Sequence, residues 1–152
     1  MRIFKKYSWL LAFLIVFTLM MTTPAFSGET GKVQKTDVNQ PSHYLVVTYF
    51  HTTFRCPTCH RIEELSSQAV KANFAYELKT GKVVWQVINV DEPENKHYNK
   101  DYQLYTKSLI ISEVKDGKEV RWKNLEKIWT LVRNEAKFDE YVKTEIMEWL
   151  KG

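Results

Sequence analysis

At 152 residues the chain is long enough for one packed domain and short for two of ordinary size. It carries 22 Lys and Arg against 18 Asp and Glu, but Arg2, Lys5 and Lys6 fall within residues 1–27, which hold no acid, so the remainder has 19 basic and 18 acidic residues, a net of +1. That balance excludes nucleic acid as an expected partner, which would need a clustered positive surface, and the 14% of aromatic residues points instead to a well-filled core or an apolar partner surface.

The first 27 residues have the layout of a secretory signal peptide: a positive start, an apolar stretch from Trp9 to Met21, and small residues from Thr22 to Ser27 before Gly28. The apolar stretch is shorter than the ~20 residues of a membrane span. A membrane association is therefore expected only if residues 9–21 are retained as an anchor. The expected location is exported: periplasmic, secreted or cell-envelope. Residues 28–42 are polar, contain Gly31 and Pro41, and lack apolar periodicity, so they read as a flexible leader. The folded domain is expected over 43–152.

Tyr44 to Phe50 is rich in β-branched and aromatic residues and reads as a buried strand. A five-residue turn leads to Cys56-Pro57-Thr58-Cys59-His60, which holds the only two cysteines of the chain. A helix follows to about Thr80, with Pro57 suited to its first turn and Ile62, Leu65, Ala69, Ala72 and Tyr76 on its apolar stripe. Val83 to Val90 is a second strand, and a strand–helix–strand run of this length implies a parallel pair. Asp91-Glu92-Pro93 starts a short helix through Tyr98 and Tyr102. Ser108 to Val114 is a third strand, and Asp116-Gly117 turns it back into an antiparallel partner, Glu119 to Trp122. Leu125, Ile128, Trp129 and Val132 form a short helical segment. Beyond Asn134, a cap, Phe138, Tyr141, Val142, Ile146, Trp149 and Leu150 mark a final amphipathic helix. The order β-α-β-α-β-β-α predicts an α/β fold: a four-stranded mixed sheet with helices on both faces.

A C-x-x-C between the first strand and the first helix resembles the thioredoxin-like superfamily. The strand ending in Phe50, the run Asn89-Val90-Asp91 with Asn95, Tyr102, Leu104 and Thr106, and the turn Lys115-Asp116-Gly117-Lys118 carry the resemblance over about residues 44–150. More loosely, Phe50-His51 with the CPTC motif, and Trp122-Lys123-Asn124-Leu125 with Ile128-Trp129, resemble small exported proteins described as ArsF-type nitrophenyl-compound nitroreductase subunits. The first resemblance implies a thiol–disulfide oxidoreductase with Cys56 as nucleophile and Cys59 as resolving thiol, a protein thiol or disulfide as partner, and no cofactor. Two features depart from it. Residues 44–55 contain no acid before the motif, for which Glu63, four residues after Cys59, is a substitute. No proline is available for the cis-proline loop before the third strand, where Thr106 and Lys107 stand instead.

The chemistry needs a thiolate, and a helix N-terminus favours one because its unpaired N–H groups and dipole stabilise an anion. Arg55, His60 and Arg61 would add positive charge around the pair. His51 at the strand end and Lys107 across the site are further candidates for tuning. Three other readings share the motif. C-x-x-C-H is also the attachment pattern of a c-type haem, with His60 as one axial ligand and Met147 or His97 as the other; the βαβ organisation weighs against it. The thiols with His51 or His60 could hold a soft metal ion. A redox-silent partner subunit would use Trp85, Trp122, Trp129 and Trp149 for assembly. A purely structural disulfide is weakly motivated, since so small a loop is worth only about 2 kcal/mol.

Overall fold

The structure, a computed structural model, describes residues 41–151. Residues 1–27, expected as a signal peptide, and all but the end of the expected leader lie outside the described residues. Strand β1 (His43–His51) leads to helix α1 (Pro57–Asn73) and a short helix α2 (Ala75–Lys79); β2 (Val83–Asn89) follows. A 3-10 turn (Pro93–Asn95) and one helical turn, α3 (Tyr98–Asp101), connect to β3 (Ser108–Lys115) and β4 (Lys118–Asn124). The chain closes with α4 (Ile128–Leu131) and α5 (Glu135–Lys151). The sheet order is β2-β1-β3-β4, with β1 parallel to β2 and every other pair antiparallel.

Alternation along β1 decides which residues meet which layer. Leu45, Val47 and Tyr49 face α1 and α5, in a core with Ile62, Leu65, Val70, Leu109, Ile111, Phe138, Val142 and Ile146. Phe50 points to the opposite face, where Val90 and Ile110 pack with it beneath Tyr98, Tyr102 and Leu104. Helices therefore cover both faces, as the alternation of elements predicts. The turn between β3 and β4 places Asp116 (φ 50°) and Gly117 (φ 75°) in the left-handed region that a two-residue hairpin requires. Asn134 caps α5: its side-chain oxygen accepts from Lys137 N–H at 3.1 Å and its carbonyl from Phe138 N–H at 2.9 Å.

The long helix differs from expectation at its end. It breaks at Phe74 (φ −128°, ψ 32°), whose ring follows Val70 into the core. Ala72 and Tyr76, expected on the apolar stripe, face solvent as a result. The helix expected after Pro93 is likewise reduced to a 3-10 turn and a single α turn. No described helix is long and apolar enough to cross a membrane.

Candidate active site

β1, an interior strand, delivers the dithiol beyond its C-terminal end, at one end of the sheet. The turn after His51 is held by Thr53, whose N–H donates to the Asp91 carboxylate at 2.8 Å and whose hydroxyl accepts from Asn89 Nδ2 at 3.2 Å. Cys56 is the N-cap residue of α1, in extended conformation (φ −85°, ψ 162°), and Pro57 occupies the first turn, where its missing N–H costs nothing. Cys56 and Cys59 are joined by a disulfide with their Cα atoms 5.1 Å apart. The two sulfurs are not equivalent. Cys59 is buried, whereas Cys56 is partly exposed and its Sγ accepts a hydrogen bond from Cys59 N–H at 3.2 Å. A thiolate at Cys56 would receive that N–H and the positive end of a 17-residue helix together.

Tyr49, which sequence reasoning took only as a strand residue, belongs to the site. It is fully buried, and its hydroxyl donates to the Cys59 carbonyl at 2.8 Å. Burial pushes the phenol up to about 12, with the Arg55 charge opposing the rise. The only signal was parity: Tyr49 shares a face with Leu45 and Val47, beneath α1. Arg55 lies against α1 and forms an ion pair with Glu63. Glu63 is thus half-buried and engaged at the site. Arg55 is not a free charge beside the nucleophile, since Glu63 balances it.

The remaining candidates spread out. The His51 ring stacks on Tyr49 with centroids 6.3 Å apart, and its Nδ1 lies 2.9 Å from the Thr52 carbonyl oxygen. His60 is exposed on α1. Lys107 shares a hollow with His51, Thr52 and Thr106, and its carbonyl accepts from Trp129 Nε1 at 3.0 Å. Arg61 is engaged by Glu64 at 2.7 Å and Glu135 at 2.8 Å. A cleft of about 700 Å³ opens beside Pro57 and Thr58, walled by Arg61 and Trp129. Of the residues offered as haem ligands, His97 is bound to Asp101 at 2.7 Å and Met147 is exposed on α5. Among the described residues no cluster of three or more His, Cys, Asp or Glu is arranged to hold a metal ion.

A parallel β-α-β unit that presents a C-x-x-C at the start of its helix, followed by an antiparallel β-hairpin and a closing helix, decides the architecture. The chain has a thioredoxin-like fold. No family model matches it, and no curated protein does. Among solved structures it is similar to thioredoxin of Fasciola hepatica, at 22% identity over 66% of this chain and 80% of that one, with a TM-score of 0.37. Oxidised thioredoxin of Plasmodium falciparum gives 20% identity over 62% and 81%, with a TM-score of 0.38. A protein named Trxlp from Edwardsiella tarda gives 17% over 65% and 82%, with a TM-score of 0.39. The thioredoxin-like assignment rests on strand order and on the place of the dithiol within it. The looser ArsF-type resemblance finds no counterpart in these comparisons.

Proposed function

We propose that this protein is an exported thiol–disulfide oxidoreductase that exchanges electrons with a partner protein through Cys56 and Cys59. The observation that carries the reading is the asymmetry of the pair: an accessible sulfur at a helix N-terminus, bonded to a buried one a turn inside. In the reducing direction the Cys56 thiolate attacks a partner disulfide. A Cys56–partner S–S bond forms and the partner's second sulfur leaves as thiolate. Cys59 then gives up its proton and attacks Cys56 Sγ, which re-forms the intramolecular disulfide and releases the first partner sulfur. Two electrons pass to the partner, and the reverse sequence oxidises a partner dithiol. Phe54 and Tyr105, both largely exposed near the site, supply apolar surface on which a protein partner can dock. Export is supported by residues 1–27 and suits a chain that keeps a disulfide.

Trapping tests the reading. Cys59→Ser leaves the attacking sulfur without its resolver, so it accumulates partners as mixed disulfides in the native host, released by dithiothreitol, whereas Cys56→Ser accumulates none. If neither variant traps a partner and the reduced, folded wild type resists alkylation, the proposal is wrong.

A further inference from the structure

Arg55 carries a donor with no acceptor. Its side chain is 17% exposed and its Nη2 is taken by Glu63, yet Nε is buried and makes no hydrogen bond. Such groups are uncommon enough in folded proteins that each calls for a physical reason.

The ion pair with Glu63 locates the guanidinium. Glu63 stands one turn beyond Cys59 on the same side of α1, since residues four apart on a helix are neighbours. Arg55 immediately precedes Cys56 in the chain, and its ion pair with Glu63 holds the guanidinium against that side of the first turns of α1. The neighbouring Tyr49 hydroxyl sits 2.8 Å from the Cys59 carbonyl. Other titratable groups nearby are His51, stacked on Tyr49, His60, exposed on α1, and Lys107, across the His51 hollow. β2 presents Trp85 and Val87 to this side, in register with Val47 and Tyr49, and neither carries charge.

We propose that Arg55 is a positioning residue whose unpaired Nε is reserved for the Cys56 thiolate, and that Glu63 both holds the guanidinium in place and limits its effect. The proposal rests on the exchange function above. In the disulfide there is no anion to receive Nε–H. When a partner dithiol reduces the pair, the Cys56–Cys59 bond breaks and two electrons move onto the two sulfurs. Cys59 takes a proton, the partner closes its own disulfide, and Cys56 remains as thiolate beside the waiting donor. Arginine and glutamate then act in opposite directions on one sulfur. Losing the cation leaves a bare carboxylate near the thiolate; losing the carboxylate leaves a bare cation.

The test is the sign of the two effects, measured on the full chain. Arg55→Met should raise the pKa governing Cys56 alkylation by about one unit. It should also move the equilibrium with glutathione about tenfold towards the disulfide, or about 30 mV for a two-electron couple. Glu63→Gln should move both readouts the other way. Arg55→Lys, which keeps the charge and loses Nε, should fall between wild type and Arg55→Met. A merely structural ion pair would destabilise the fold equally from either end and leave Cys56 unmoved. Shifts of the same sign, or none, in variants whose Cys56 still alkylates overturn the inference and leave the exchange function standing. A wild-type dithiol that is inert in the folded state overturns both. If Arg55→Met does not fold, Glu63→Gln decides: a lowered pKa supports the proposal and an unchanged one overturns it.

Discussion

Each end of the central sheet holds a carboxylate beside an arginine, and the two are solved differently. At the dithiol end, Glu63 is half-buried and meets one cation, Arg55, which keeps an unpaired N–H in reserve. At the far end, Glu113 on β3 is 1% exposed and meets two cations, Lys115 at 2.9 Å and Arg121 from β4, together with the His43 ring from β1 at 2.7 Å. Burial works to raise the Glu113 pKa, but hydrogen bonds from Lys115, Arg121 and His43 outweigh it and bring the group down to about 2. Arg121 also lies 4.3 Å over the Trp149 ring, which ties the cluster to the end of α5. A buried charge with partners on both of its oxygens serves the fold. A pair left with an unused donor keeps capacity for a further acceptor, the role proposed above for the Cys56 thiolate.

The comparison is broken most severely by removing the carboxylate that gathers partners from three strands. Glu113→Gln leaves Lys115, Arg121 and the His43 ring around a neutral amide, although each is nearly half exposed and can turn to water. The expected loss is about 1–3 kcal/mol, read from denaturant midpoints, with the alkylation profile of Cys56 unchanged. A shift in that profile would show that the two ends are coupled, against the division drawn above.

A pH series sharpens the same point. Because Glu113 is held at about 2, below its ordinary 4.5, its contribution to stability is complete above 4.5 and declines as the pH falls through about 2. Urea midpoints should therefore drop across that window in the wild type and drop less in Glu113→Gln. Parallel curves for the two proteins would remove Glu113 from the account of acid unfolding.

The smallest effect is expected where the site meets the core. Tyr49→Phe removes one buried hydrogen bond, to the Cys59 carbonyl, and leaves the ring in place. Thermal or denaturant unfolding should register about 0.5–1.5 kcal/mol. Since that carbonyl belongs to the first turn of α1, cysteine reactivity in the variant reports whether the phenol also helps to seat the dithiol.

Much of this molecule is legible from its residues. The run Tyr44 to Phe50 marks a buried strand, Val83 to Val90 and Ser108 to Val114 mark two more, and Asp116-Gly117 marks the hairpin because those residues tolerate positive φ. The dithiol was legible as a pair at a helix start, since Pro57 and the stripe of Ile62, Leu65 and Ala69 locate α1. The end of α1 was not legible. Ala72 and Tyr76 fit the helical period as well as Val70 and Phe74 do, and only the position of the sheet selects the latter. Arg55 read as a bare positive neighbour of Cys56, because nothing local reveals that Glu63, eight residues on, neutralises it.

Local pattern by itself determined the order and type of the elements and the place of Cys56 and Cys59 at the junction of β1 and α1. Those depend on spacing and backbone preference, which act within a few residues. Tertiary structure alone decided that Tyr49 reaches the Cys59 carbonyl, that Glu63 pairs with Arg55, and that Glu113 gathers partners from three strands. Each of these depends on which face of one element meets which face of another, and that is settled only when the layers close and water is excluded between them.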